Sequence, residues 1–209
     1  QGITRHNSFL HPPLRFRIDF PDKWEVANSP QQVVAKAPDA DLFMVLQLVT
    51  MPSGRDAREV AASSMQGAGF RLVEGDRTSI NGLDAYVGTY RGQIQGLGTV
   101  TSRAAHILHG RSYYLVAGLA AADQFERTEA RFASSIRSFR QLSAAEAEAI
   151  KPARVDLYVA RQGDTWASLA ERSVGAIKPS ALAIMNHQAT DSQPAVGRRL
   201  KIVVQDGPR

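Results

Sequence analysis

The chain has 209 residues, 44% of them hydrophobic and 22% charged, with a formal net charge of +5 and no cysteine. That length suits one large domain or two small ones and is enough to bury a core without covalent staples. The missing cysteines exclude a disulfide framework, a thiolate zinc site and a cysteine nucleophile, and they leave the compartment open.

The positive excess is spread thinly and forms no basic run. It reads as a solvated, arginine-rich surface rather than a nucleic-acid face. No stretch approaches the ~18 apolar residues of a membrane span. Residues 1–8 are polar, lack the apolar centre of a signal peptide and read as a disordered, tag-proximal stretch. The sequence also begins without Met, so the chain reads as a piece of a longer protein with its upstream part removed.

From residue 9 the pattern is that of strands. Pro12-Pro13 forces an extended entry. Leu14 to Phe20 alternates apolar and charged residues, the period of a half-buried strand. A turn at Pro21-Asp22-Lys23 leads to a strand beginning at Trp24. Gln32 to Ala37 and Leu42 to Thr50 are further β-type runs. The second is nearly all apolar, which predicts a central strand covered on both faces. Between Ser53 and Gly67 the period changes: Ala57, Val60, Ala61 and Met65 recur at helical spacing behind capping oxygens.

Phe70 to Ser79 and Asp84 to Tyr90 are strands joined through Asn81-Gly82, a hairpin signal. Two more strands occupy 97–109 and 112–120. An amphipathic helix over 122–138 carries Phe125, Phe132 and Ile136. Hairpins with a few helices predict an α+β domain over residues 9–142, with a mainly antiparallel sheet.

Residues 143–154 are small, polar and helix-prone, and Pro152 ends them, so they read as a short helical linker. Residues 155–209 form a second unit. Its elements are a strand at Leu157-Tyr158-Val159, a turn at Gly163-Asp164-Thr165, a helix from Trp166 to Arg172, a helix from Pro179 to Met185, and a closing strand from Leu200. Either Asp164 or Thr165 caps the first helix. Pro179 stands near the first position of the second.

No catalytic constellation emerges. The five histidines include no H-E-x-x-H and no pair at helical i, i+4 spacing. His106 and His109 are three apart in a strand, so they face opposite sides. The scattered glycines of Gly92 to Gly98 are followed by β-type residues, whereas a phosphate cradle opens a helix. Asp19, Asp22 and Glu25 sit on a strand edge and turn, where solvated charge is the default. No nucleophile elbow or nucleotide-binding loop is present.

The second unit resembles the LysM module. The residues that carry the resemblance are Tyr158-Val159, Gly163-Asp164-Thr165, Leu169-Ala170, Leu182, Met185-Asn186, Gly197 and Leu200-Lys201-Ile202. It departs from the pattern at Trp166, where a smaller aliphatic is usual, and at His187, where Pro or Gly is common. The resemblance implies a βααβ fold that binds N-acetylglucosamine polymers, meaning peptidoglycan or chitin, in a shallow groove between two loops. Carried over, the groove is formed by Gly163, Asp164, Thr165 and Trp166 on one side. Met185, Asn186, His187 and Gln188 form the other.

Asn186 and Asp164 would offer hydrogen bonds to the acetamide and Trp166 an apolar face to the sugar ring. Each also has a purely structural reading: Asp164 and Thr165 as caps, Trp166 as core, Asn186 as a loop brace.

The first unit resembles the PsbP/Mog1-like sandwich family through Phe16-Arg17-Ile18, Pro21-x-x-Trp24, Ile80 to Ala85 and the closing Ser135-Ile136-x-Ser138-Phe139. The order of the two units, with Phe9 to Pro13 and Leu182 to Asn186, resembles the C-terminal region of exported bacterial zinc metallopeptidases, relatives of the CAAX prenyl endopeptidases. That implies a periplasmic or cell-envelope setting. It also implies a protease domain in cis, whose catalytic zinc would be held upstream of this chain. No cofactor is expected in the chain itself.

Three functions fit these features. One is a non-catalytic glycan-binding region that positions an attached protein. Another is a region that shapes substrate access in a zinc metalloprotease. The third is a protein–protein adaptor without sugar binding.

Overall fold

The computed structural model describes residues 2–150, 154–173 and 177–204. The chain divides into two compact units, Gln1–Ala147 and Glu148–Arg209. In chain order the larger unit runs β1 (Ile3–Arg5), β2 (Ser8–His11), β3 (Phe16–Asp19), β4 (Glu25–Asn28), β5 (Gln32–Lys36), β6 (Phe43–Leu48), α1 (Ala57–Gly67), β7 (Arg71–Ile80), β8 (Leu83–Ile94), β9 (Gly98–His109), β10 (Ser112–Ala121), α2 (Phe125–Ser138) and β11 (Arg140–Gln141). Then come α3 (Ala144–Ala149), β12 (Arg154–Val159), α4 (Trp166–Arg172), α5 (Pro179–Met185) and β13 (Arg199–Val204).

A seven-stranded sheet of order β4-β5-β6-β10-β9-β8-β7 and a four-stranded sheet of order β1-β2-β3-β11 make up the larger unit. Neighbouring strands pair antiparallel throughout. The α+β class with a mainly antiparallel sheet is therefore observed.

Its main core lies between the two sheets and α2. Phe9, Phe16 and Ile18 come from the small sheet, Met44, Ile107 and Val116 from the large one, and Phe132 and Ile136 from α2. Side-chain alternation sends the intervening residues of the large sheet to its other face, where α1 packs on β7, β8 and β9. Ala57, Val60, Ala61 and Met65 are the buried stripe of α1, at the predicted spacing. Asp56 caps that helix by accepting the Glu59 N–H at 2.9 Å.

The turn between β7 and β8 falls on Asn81-Gly82, both in the left-handed region at φ 48° and 82°. Such a turn matches the twist of the strands it joins. The Asn81 amide also donates to the carbonyls of Arg137 and Phe139, each at 2.8 Å, and so ties the hairpin to the end of α2.

Two expectations need correction. The first concerns residues 1–8, read from their polarity as disordered. Ile3–Arg5 is a strand, paired with Ser8–His11 through Thr4 opposite Phe9. A short edge strand needs only one inward neighbour, and local polarity does not reveal that neighbour.

The second concerns β6, expected to be covered on both faces. Met44 and Leu46 are buried, but Phe43 and Val45 are only half-buried, because α1 packs further along the sheet. The run 143–154, expected as a short helical linker, contains the helix α3, with Ser143 accepting the Glu146 N–H at 3.1 Å. The predicted stop at Pro152 lies outside the described residues.

Candidate functional site

In the smaller unit β12 and β13 pair antiparallel, from Arg154 opposite Val204 to Val159 opposite Arg199. Helix α4 packs on α5 and both pack on β13. The order strand, helix, helix, strand is present, with both helices at the predicted limits. Ala160, Trp166, Leu169, Leu182, Ala183 and Leu200 form the core. The short helices hold together because each turns one apolar stripe onto this cluster; helices of this length are unstable alone.

The first loop, between β12 and α4, is organised by Asp164. Its carboxylate accepts the Arg161 N–H at 2.7 Å and the Tyr158 hydroxyl at 2.9 Å, and Arg172 lies at 3.5 Å. These contacts, the Arg161 N–H foremost, hold the carboxyl below its ordinary pKa against the opposing effect of burial. Asp164 is buried while Gly163, at φ 87°, is exposed at the apex.

Thr165 is the N-cap of α4. Its hydroxyl accepts the Ser168 N–H and the Ser168 hydroxyl accepts the Thr165 N–H, both at 3.0 Å. That is a reciprocal capping box with serine in the usual Glu position.

The second loop follows α5. Asn186 is buried and works as a bracket. Its amide donates to the Leu182 carbonyl at 2.9 Å and the Lys201 carbonyl at 2.8 Å, and its oxygen accepts the Lys201 N–H at 2.6 Å. The loop is thereby tied to β13. His187 follows at φ 54°, exposed, and the Gln188 N–H returns to the Ala183 carbonyl at 3.0 Å. A left-handed residue here suits Gly, is tolerated by His and is closed to Pro, whose φ is fixed near −65°. Met185 is half-buried against the core, and Gln188 is half-exposed.

The sequence-predicted residues thus fall into two groups. Gly163, Thr165, Met185, His187 and Gln188 reach the surface to different extents. Asp164, Asn186 and Trp166 do not. Trp166 is 4% exposed and belongs to the core, so it offers no open face to a sugar ring. A large aromatic at the first position of α4 packs in the cluster that both helices cover.

The partners of Asp164 and Asn186 were not legible beforehand. Tyr158 and Arg172 reach Asp164 across the fold, and Lys201 contributes only backbone. The Thr165-to-Ser168 spacing was a signal in plain view.

Asn186→Ala leaves the Lys201 N–H and two carbonyls without these partners. A loss of about 2–3 kcal/mol is expected, because buried polar groups are left unpaired. Chemical denaturation followed by the indole of Trp166 measures it, and faster exchange of the Lys201 amide accompanies it.

In the larger unit, Asp19 binds Arg17 and the Ser8 hydroxyl rather than a second carboxylate. His109 lies among Phe16, Tyr114 and Phe139. His106 lies on the α1 face, opposite Tyr86 and Leu115.

No protein-family model matches this chain, and no curated protein matches it. Among solved structures, the chain is similar to the solution structure of cyanobacterial PsbP (CyanoP) from Synechocystis sp. PCC 6803. The identity is 15% and the TM-score 0.50, over 68% of this chain and 96% of that one. It is also similar to LpqN of Mycobacterium tuberculosis, a protein involved in cell envelope biogenesis. There the identity is 14% and the TM-score 0.43, over 61% of this chain and 83% of that one. At such identities the first likeness speaks for the fold. It supports the PsbP/Mog1-like expectation, and the chain carries a PsbP-like α+β fold.

Proposed function

We propose that this chain is a non-catalytic region of a cell-envelope protein, in which the smaller unit is a LysM-like module that binds N-acetylglucosamine glycan and positions an attached protein. The observation that carries this reading is the bracing of the two loops. Asp164 under one and Asn186 under the other are buried and fully engaged within the unit. The backbone of Gly163 and the side chains of Thr165, His187 and Gln188 are left nearer the surface on loops already held in shape.

A neutral glycan is recognised by hydrogen bonds to its acetamide and by apolar contact with its ring. Loops fixed in advance reduce the ordering cost of binding. Met185 supplies the apolar element that Trp166 does not. One module of this kind binds weakly and gains from repetition, so the expected role is placement rather than tight capture. The attached protein, by the sequence resemblance, is a zinc-dependent protease in cis, and the setting is periplasmic. This chain supplies no ligand to that zinc.

Titration of the full chain with tetra-N-acetylchitotetraose, followed by amide shifts, tests the binding. Shifts are expected at Gly163, Thr165, His187 and Gln188, with weakening in Gln188→Ala. Unmoved amides in both loops at millimolar ligand would remove the glycan claim and leave the adaptor reading.

A further inference from the structure

The two strands of the smaller unit end on different kinds of edge. The Ala160 N–H donates to the Arg198 carbonyl at 2.9 Å, and the Ala160 carbonyl accepts the Gly197 N–H at 2.8 Å. Backbone polar groups alternate in direction along an antiparallel strand. Tyr158 and Asp156 therefore also face β13, while Val155, Leu157 and Val159 turn their N–H and C=O groups away from it. Leu157 and Lys201 stand opposite each other, so their backbone groups point to opposite edges. At the β13 edge Asn186 takes both groups of Lys201. At the β12 edge no strand pairs among the described residues, and the Leu157 N–H is met by the Asp156 carboxylate, at 2.8 Å.

Side chains follow the same period. Tyr158 packs on the core, and Val155, Leu157 and Val159 point to the other face, 59%, 63% and 52% exposed. An open edge is a template for another strand, and proteins blunt it with short strands, charges, proline or bulges. The larger unit uses these devices. Its edge strands β1 and β4 have three and four residues. The long edge strand β7 carries a bulge between Leu72 and Glu74 and the charges of Arg71, Glu74, Asp76 and Arg77. By contrast β12 pairs over six residues with no register shift and contains neither proline nor glycine.

We propose that β12 is a homodimer interface. It pairs antiparallel with β12 of a second copy of this chain about a two-fold axis at Leu157, which joins two sheets into one of order β13-β12-β12-β13. In this register Leu157 lies opposite Leu157, Val155 opposite Val159 and Asp156 opposite Tyr158. The outward backbone groups of all three apolar residues are then answered, and the Asp156 carboxylate yields the Leu157 N–H to a carbonyl. The two apolar columns merge into one patch.

Charge selects the same arrangement. Arg199 and Lys201 are exposed beside Val159 and Leu157. Pairing through β12 sends them to the outer strands, about 14 Å from their counterparts at ~4.8 Å per strand and beyond the ~10 Å screening length of 0.1 M salt. A two-fold axis at Asp156 instead would set the two Asp156 carboxylates opposite each other. Because Asn186 closes the β13 edge, assembly stops at two copies. One strand pair buries less than the ~1,200 Å² of a standard interface, so the expected dissociation constant is weak, about 0.1–1 mM. The pairing stands apart from the glycan reading, and its test contains no sugar.

Sedimentation velocity of the full chain is the measurement. The weight-average mass should rise from 22.7 kDa toward twice that value as concentration passes through the expected range. Leu157→Lys puts a charge on the two-fold axis and should keep the chain monomeric, with unchanged melting because the site is exposed. The chain has no cysteine, so Leu157→Cys adds a single thiol. Opposed residues of a hydrogen-bonded pair lie ~5.5 Å apart at Cα, within disulfide reach. Mild oxidation should cross-link Leu157→Cys into a dimer, and Val155→Cys, which faces Val159, about tenfold more slowly or not at all. A parent chain that stays monomeric throughout, a dimer untouched by Leu157→Lys, or equal cross-linking of the two thiol variants overturns the proposal.

Discussion

Replacing Trp166 with alanine should unfold the smaller unit and leave the larger one folded. The side chain is 4% exposed and packs in one cluster with Leu169, Leu182, Ala183 and Leu200. Truncating a buried tryptophan costs about 3–5 kcal/mol, as the sum of lost transfer energy and the cavity left behind. A unit of about 60 residues has a total stability of only about 3–9 kcal/mol, so this single change removes most or all of it.

The core clusters of the larger unit contain none of these residues. Amide spectra should therefore show collapse of the signals from residues 154–204 with those of the seven-stranded sheet in place. Trp166→Phe should be far milder, because the indole N–H has no hydrogen-bond partner to lose among the described residues. A Trp166→Ala protein that melts like the parent but fails to bind chitooligosaccharide would reverse the assignment and return Trp166 to the sugar groove.

A second large effect is expected from acid. His106 is completely buried under α1, neither ring nitrogen has a partner among the described residues, and burial pushes its pKa down to about 4. The unfolded chain takes up this proton near pH 6.5, the folded chain only near pH 4. Between those values the unfolded state binds more protons, so stability falls as pH falls. The contribution is fully present above about pH 6.5, drains away through the interval, and amounts to about 3 kcal/mol by pH 4.

His106→Leu should flatten most of that slope. At pH 7 it should be neutral or stabilising, since an apolar group of similar size replaces a polar one with no hydrogen-bond partner among the described residues. A smaller slope should persist from His11, whose pKa burial also lowers. Thermal melts of the two proteins from pH 7.5 to 4 provide the measurement. Parallel curves would show that His106 is not the group responsible.

The residues that brace and fill the smaller unit show how its sequence is to be read. Gly163-Asp164-Thr165 and the run ending at Asn186 mark the two loops correctly by position. Of the two roles open to each residue from the sequence, the structural one is observed for Thr165 as cap, Trp166 as core and Asn186 as brace. Asp164 and Asn186 have the hydrogen-bonding groups a sugar would want, and the fold spends them internally on Arg161, Tyr158 and Lys201. Trp166 has the ring a sugar would stack on, and the core takes it. A side chain's functional groups are readable from its identity; whether they face water or the interior depends on other elements, β13 among them, which supplies Lys201 to Asn186 and Leu200 to the cluster around Trp166.

The sequence by itself determined the local elements. Alternation over Phe16–Asp19, the part of the expected Leu14–Phe20 run that forms β3, helical spacing from Ala57 to Met65, the Asn81-Gly82 turn and Pro179 at the head of α5 are all encoded within a few residues. They follow from backbone sterics and side-chain period, which are short-range.

Tertiary structure alone decided the rest. It paired Ile3–Arg5 with Ser8–His11, left β6 half-covered and folded Tyr86 and Tyr90 down over Gly75 and Gly88. It also sealed His106 beneath α1. These features depend on strand order and layer packing, which join residues distant in sequence. A hydrophobic pattern specifies which face is buried but not which partner buries it.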